Sequence, residues 1–476
     1  MSMGHSSSRR ASSQEQAEAA RPDAGGTRLN RRAFFAVGGS LAAAGLLAAC
    51  GGNTGRGDAS TTSQPGTAAG GAGTSGAGTS GPAASGAGTG GSKPTLQQWY
   101  HQYGEEGTEA AVKRYAASYP NATVEVSWFP GDYESKAASA LLTSSPPDVF
   151  EGANGPTIDQ IQQGLVADLT DLLGDAKSDF NPAMLERMSY DGKVWGIPET
   201  IDMQLLVYRK SLLDKAGVKP PTSFEELRAA AKALTQGKQK GLFVGNDGGV
   251  GTLVGPSLWS VGEDYVTDGK VGFTPEQAGP ALAGLHTLFT SGNLLLGAPT
   301  DWSDPSALTN GLCAMQWTGL WNFPQFQKAL GDDFGVAAWP AFAAGAGKPS
   351  VPIGAYGSCV AAKGANVDAA KAFVKWLWVD NTADQLDFAQ SYGFHLPSRE
   401  SVAAKADKLK SGQAAEALKI FQTDGHAQTP MLWTSKSSTA MSDAATRIIK
   451  DGADAKAELA KVVATVEAEL KRVTAK

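Results

Sequence analysis

The sequence predicts a two-lobed α/β protein, each lobe a mostly parallel sheet flanked by helices. Three observations predict it. From Lys93 onward, strand signals alternate with amphipathic helix signals, which is the pattern of parallel sheets covered by helices. That part of the 476-residue chain is long enough for two lobes of ordinary domain size. Finally, Pro198 breaks a strand signal in mid-run: its ring fixes φ and removes a backbone donor, so Pro198–Asp202 reads as a link between two pieces of structure.

The elements follow in order. Pro94–His101 reads as a strand, and the helix after it buries Ala111, Val112, Tyr115, Ala116 and Tyr119. In the next strand, Ala122–Trp128, the apolar Val124, Val126 and Trp128 alternate with Glu125 and Ser127. A turn and helix from Pro130 lead to a short buried strand at Pro146–Phe150 and then to a helix over Pro156–Leu165. In such β-α-β-α-β-α units ligands sit beyond the carboxyl ends of the strands, which makes Trp99, His101, Glu151 and Asn154 candidate ligand groups.

Asp191–Thr235 reads as a strand ending at Ile197-Pro198, a link, a second strand over Met203–Tyr208, and a break at Pro220-Pro221. A helix then opens at Ser223, with Glu226 at capping-box spacing. By spacing alone this is an ordinary strand–loop–helix unit. Beyond it come a strand at Gly241–Gly245, a Gly-rich loop opening into Pro256–Trp259, a helix over Pro275–Thr290, and a strand at Gly311–Trp317. Helices follow at Val367–Val379 and Ala453–Val473. In the last, Ala455, Leu459, Val462, Val466 and Leu470 form one apolar stripe.

The N-terminus has a different character. Arg31-Arg32-Ala33-Phe34-Phe35 resembles a twin-arginine signal, and the apolar run Ala36–Ala49 is too short to cross a hydrocarbon core of ~30 Å. Leu47-Ala48-Ala49-Cys50 resembles a lipobox, which would leave Cys50 carrying lipid; the alternative is an unmodified cysteine after a plain secretory signal. Gly51–Ser92, almost wholly Gly, Ala, Ser and Thr, has too little apolar surface to offset its ordering entropy and reads as a flexible tether. It contains a formal GxGxxG at Gly71–Gly76, but no strand precedes it and no helix follows, so it does not cradle phosphate. A net charge of −6 argues against broad attraction to nucleic acid.

The run Val194–Leu227, VWGIPETIDMQLLVYRKSLLDKAGVKPPTSFEEL, resembles the hinge stretch of the extracellular sugar-binding proteins of bacterial ABC importers, the family that includes maltose-binding protein. Gly311–Trp321, GLCAMQWTGLW, is similar to the second-lobe strand of the same family, whose last Trp commonly lies against the sugar. One departure is Arg209, where many members carry Asn. The resemblance implies the type II periplasmic-binding-protein fold with a hinge crossed three times: near Pro198, on return at Val351–Ala362, and at Gly393–Pro397. It divides the chain into an export signal (1–49), a linker (50–92), lobe 1 (93–199 plus 355–396) and lobe 2 (200–354 plus 397–476).

The resemblance also implies a sugar ligand, the membrane subunits of an importer as partners, a monomer, no cofactor and no metal. Asp202 matches the acidic hinge-proximal position that hydrogen-bonds sugar hydroxyls, and Trp321 matches the sugar-facing Trp. Among the 11 Trp, several lie at expected strand ends or loops. Aromatic faces pack on sugar C–H faces, and Trp99, Trp259 and Trp433 join Tyr356 of the return strand as candidates. Core packing is the default for Trp128, Trp195, Trp339, Trp376 and Trp378, and it also outranks binding for Trp302 and Trp317. Pocket shape would come from loops 246–265 and 296–306.

The enzyme classes find little support. His101, His286, His395 and His426 are scattered with no metalloprotease pairing, and there is no G-x-S-x-G elbow, P-loop or EF-hand loop. A secreted glycoside hydrolase stays open, because its carboxylate pair need not be close in sequence. Peptides and polyamines stay open as cargo. Cys313 and Cys359 have no metal-ligand spacing and read as two separate core thiols, with a disulfide as the alternative in an exported protein.

Overall fold

The structure is a computed structural model that describes residues 93–343 and 347–475. The export signal, Cys50 and the linker lie outside the described residues. Ten strands carry the architecture: β1 (Thr95–His101), β2 (Thr123–Phe129), β3 (Val149–Ala153), β4 (Ile197–Tyr208), β5 (Lys240–Phe243), β6 (Cys313–Gly319), β7 (Gly335–Ala337), β8 (Val351–Val360), β9 (Leu396–Pro397) and β10 (Gly425–Ala427). Their order is β2-β1-β3-β8-β4-β6-β5, with β7 and β9 also on β4 and β10 on β8. At one end β1 pairs parallel to β2 and β3, and at the other β5 pairs parallel to β6. The two long central strands β4 and β8 run antiparallel to each other and to β6 and β3. This gives two lobes on shared strands. All ten residues of β8 are buried, as expected of a strand covered on both faces.

The expected interruption after Pro198 does not occur: β4 is one strand of 12 residues running through it. Its partner register explains why. Ala355 faces Ile201 while Gly357 faces Pro198, so the ladder slips at a bulge there. A residue without a backbone donor is tolerated at such an irregularity. Pro198 still contributes its carbonyl, which accepts a bond from Ser398 Oγ at 2.8 Å. Hence β4 uses Ile197–Met203 to pair with β8 and Gln204–Tyr208 to pair with β6. At the expected third crossing, Leu396 and Pro397 pair with Ile201 and Thr200 of β4.

The helices depart from expectation mainly at their ends. Ser223 Oγ accepts from Glu226 N at 3.2 Å, but the Glu226 carboxylate reaches back to Thr222 N (2.8 Å) instead of closing a box on Ser223. The helix expected over Pro156–Leu165 is confined to Ile158–Gln162, where Thr157 and Gln160 make the full reciprocal box. The terminal helix, Ala455–Thr474, buries its apolar stripe as predicted. Its last turn reaches the other half of the molecule: Val473 joins the cluster of Leu141, Phe150 and Ile158, and Arg472 pairs with Asp159 at 2.9 Å. Cys313 and Cys359 are buried and free, and they belong to separate apolar clusters. No helix among the described residues is long and apolar enough to cross a membrane.

Candidate functional site

A cavity of about 390 Å³ opens beside β4, walled by residues 247–256, which run from a loop into the helix Val254–Trp259, by Trp259 itself, Tyr265, Asp301-Trp302 and the segment Gln428–Trp433. Its size suits a small ligand such as a mono- or disaccharide. Asn154 and Gln204 reach it from the sheet. Asn154 follows β3 in a left-handed conformation (φ 57°), which short polar side chains tolerate. Its amide donates to Gln428 Oε1 at 3.1 Å, and its Oδ1 accepts from Ala355 N at 3.3 Å. Gln204 is where β4 changes partners, and its Oε1 takes the Trp317 indole N–H at 3.0 Å.

Of the aromatic candidates, Trp259 and Trp433 lie on this wall and are largely covered. Trp259 stacks on His426 with centroids 4.1 Å apart and donates to Asp264 Oδ1 at 3.1 Å. Trp433 leans on Tyr265 at 4.7 Å. Asp202, Trp321 and Tyr356 meet Asn154 and Gln428 around an adjoining crevice of only about 20 Å³. Trp321 is 5 % exposed and donates its indole N–H to Ser303 O at 3.2 Å. A Cβ at Gly319 would come within 1.9 Å of its ring, so the glycine in this strand end is what lets the indole fold back.

His101 and Glu151 do not reach the cavity wall. They form a buried polar network behind it: Glu151 Oε2 accepts from His101 N at 2.9 Å and lies 2.7 Å from His101 Nδ1, while Tyr103 donates to Oε1 at 2.6 Å. The His101 ring stacks on Tyr356 at 3.8 Å, linking this network to the crevice. Nearby Glu199 is 1 % exposed; burial and the charge of Glu151 push its carboxyl well above the usual carboxylate range. Burial, again with Glu151, pushes Glu134 up to about 8. Trp99 packs on Phe129 at 4.4 Å, also away from the cavity.

Asp202 is already engaged. Its Oδ1 lies 2.5 Å from His395 Nδ1, and the other imidazole nitrogen lies 3.1 Å from Glu105 Oε1. Burial opposes charge on this ring, but the two carboxylates outweigh it and push the imidazole up to about 9. The ring is therefore an imidazolium at neutral pH, clamping the first crossing strand, the third crossing and the loop after β1.

Several wall residues escape sequence reasoning. Asp247, Thr252 and Asp301 lie on the two loops expected to shape the pocket, but nothing in their spacing singles them out. Asp247 accepts from Gly249 N (2.9 Å) and Gly251 N (2.8 Å), so the Gly-rich loop wraps its carboxylate. Trp302, read as a core residue, is buried in the core cluster and also lines the cavity, and Trp317 is fully buried as expected. Among the described residues no group of three or more His, Cys, Asp or Glu could hold a metal.

Residues 110–419 match the family of bacterial extracellular solute-binding proteins. The chain is 27% identical over 305 residues to the diacetylchitobiose binding protein DasA of Streptomyces coelicolor, covering 60% of this chain and 67% of that one. It is 29% identical over 243 residues to a lactose-binding protein of Rhizobium radiobacter, covering 48% of this chain and 56% of the relative. In three dimensions it resembles an ABC transporter solute-binding protein of Thermotoga lettingae bound with α-D-tagatose, with a TM-score of 0.68 at 20% identity, over 79% of this chain and all of that one. The GacH receptor of Streptomyces glaucescens, solved unliganded and with acarbose, gives a TM-score of 0.65 at 24% identity, over 80% of this chain and 98% of the receptor. The fold is thus that of the two-lobed type II binding proteins, and the chain belongs to the bacterial extracellular solute-binding protein family.

Proposed function

We propose that this protein is the substrate-binding component of an ABC importer, taking up a mono- or oligosaccharide between its lobes and presenting it to the membrane subunits. The observation that carries the reading is the cavity where β4 changes partners, walled by the carboxylates of Asp247 and Asp301, amides from Asn154 and Gln428, and the aromatic rings of Trp259, Tyr265, Trp302 and Trp433. Carboxylates and amides suit hydroxyl groups, and aromatic surface suits the C–H faces of sugar rings. The sugar-binding relatives support the same class of ligand. Exported through the twin-arginine-like signal, the protein would be held at the outer face of the membrane by lipid on Cys50, with residues 51–92 as tether and 93–199 plus 355–396 as the first lobe.

The work here is differential affinity, since a ligand shifts a hinge equilibrium only by the difference in its affinity for the two states. A binding protein of this kind releases its ligand unaltered. Thermal melting of the full chain with mono- and oligosaccharides, amino acids and polyamines tests the class of ligand: at 100 times Kd a specific sugar adds about 2.7 kcal/mol of stability. A shift with amino acids or polyamines and none with any sugar would overturn the reading. Sugar hydrolysis by the same preparation would replace binding with catalysis.

A further inference from the structure

We propose that the saccharide taken by this site carries a positive charge, so that the ligand is an amine-bearing sugar and not a neutral one; this rests on the sugar-binding reading above. The wall of the cavity contains two carboxylates, Asp247 and Asp301, and no Lys, Arg or His. The two sit on neighbouring loops, which are tied together because Asn246 Nδ2 donates to Ala298 O at 3.0 Å and Ala298 N donates to Asn246 Oδ1 at 2.8 Å. Asp247 spends both oxygens on backbone N–H groups. Asp301 uses only Oδ1, on Trp302 N at 2.7 Å.

Two partly buried carboxylates elsewhere are matched by an arginine, Asp333 by Arg209 at 2.7 Å and Asp179 by Arg399 at 2.8 Å, whereas the buried Glu134 and Glu199 have no such partner among the described residues and are raised instead. In the cavity the match is missing. Burial raises the Asp301 carboxyl above its usual value, the bond from Trp302 N opposes that rise, and the charge of Asp247 adds a smaller push upward. Closing such a site around a neutral ligand would desolvate two like charges with no counter-charge. A ligand ammonium removes that cost, and the surrounding Trp and Tyr rings are favourable neighbours for a cation. A second, independent feature points to a ligand in the same place: Thr252 is 8 % exposed, lines the cavity, and its Oγ1 has no hydrogen-bond partner among the described residues. A buried hydroxyl without a partner is costly until a ligand group supplies one.

The test compares three β-1,4-linked disaccharides that differ only at C2, namely those of glucosamine, N-acetylglucosamine and glucose, together with neutral malto-oligosaccharides. Calorimetric titration of the full chain with each is expected to give at least tenfold tighter binding of the amine-bearing disaccharide than of its hydroxyl counterpart. Asp301→Asn should shrink that preference at least threefold while leaving the unliganded melting temperature near wild type. Raising the pH until the sugar amine loses its proton should remove the preference in the wild type. If neutral sugars bind as tightly as the amine-bearing one, or tighter, the charge inference is overturned and the sugar-binding reading stands. If no sugar binds, both fall together.

Discussion

Asp202 Oδ1 lies 2.5 Å from His395 Nδ1, and this contact joins β4 to the segment entering β9, two of the three places where the chain passes between lobes. The residues are 193 positions apart in sequence, so neither motif nor spacing could pair them. Asp202, matched by resemblance to a sugar-binding position, is therefore already engaged between two of the chain's crossing segments.

The clamp makes stability depend on pH in a definite direction. The His395 pKa is raised in the folded state from 6.5 to about 9, so its contribution is fully present below ~6.5 and is lost as pH rises through about 9. His395→Gln should cost roughly 3 kcal/mol at pH 6 and much less at pH 9.5, measured by urea unfolding. Glu134, raised to about 8, acts in the same sense, so a weaker fall with pH should persist in the variant. An equal loss at both pH values would mean that the ring is neutral and held by packing alone.

Gly319→Ala tests how Trp321 is seated. The added methyl would come within 1.9–2.1 Å of the indole ring, which cannot retreat because its N–H is bonded to Ser303 O. A loss of about 1–3 kcal/mol is expected, the range for forced overpacking. A melting temperature equal to wild type would show the indole free to swing into the cleft.

How far the site was legible in the sequence depends on the kind of contact. The crossings were legible because the Val194–Leu227 run and Gly393–Pro397 carry their signals in consecutive residues. The continuity of β4 through Pro198 was not, because the bulge opposite it depends on where Gly357 falls in another strand. Strand-end reasoning pointed to Asn154, which lies on the cavity wall, and equally to Trp99, His101 and Glu151, which do not, since period-two alternation does not say which face meets the cleft. Asp247, Thr252, Asp301 and Gln428 sit on loops whose shape comes from tertiary contacts, and no periodicity marks them.

Both remaining thiols should be free and slow to react. Burial pushes Cys313 and Cys359 well above the usual thiol range, and neither is bonded to another sulfur. Ellman titration of the unreduced 93–476 fragment, which lacks Cys50, should count two thiols after denaturation and almost none before. A count of zero after denaturation would mean a disulfide.

The anchor is testable apart from the fold. Cys50→Ser should move the protein from the membrane fraction to the soluble one, and replacing Arg31 and Arg32 by lysine should block export of folded protein. Membrane association unchanged in the Cys50 variant would end the lipoprotein reading.

The central claim is that a sugar occupies the cavity between Asn154, Gln428, Trp259 and Trp433. It is tested most directly by calorimetric titration of wild type, Gln428→Ala and Trp259→Ala with the saccharide that most raises the melting temperature. The account predicts one site per chain in the wild type and binding weaker by about 1–3 kcal/mol in each variant, with both still folded. Affinities in both variants within error of wild type would contradict it and place the ligand elsewhere.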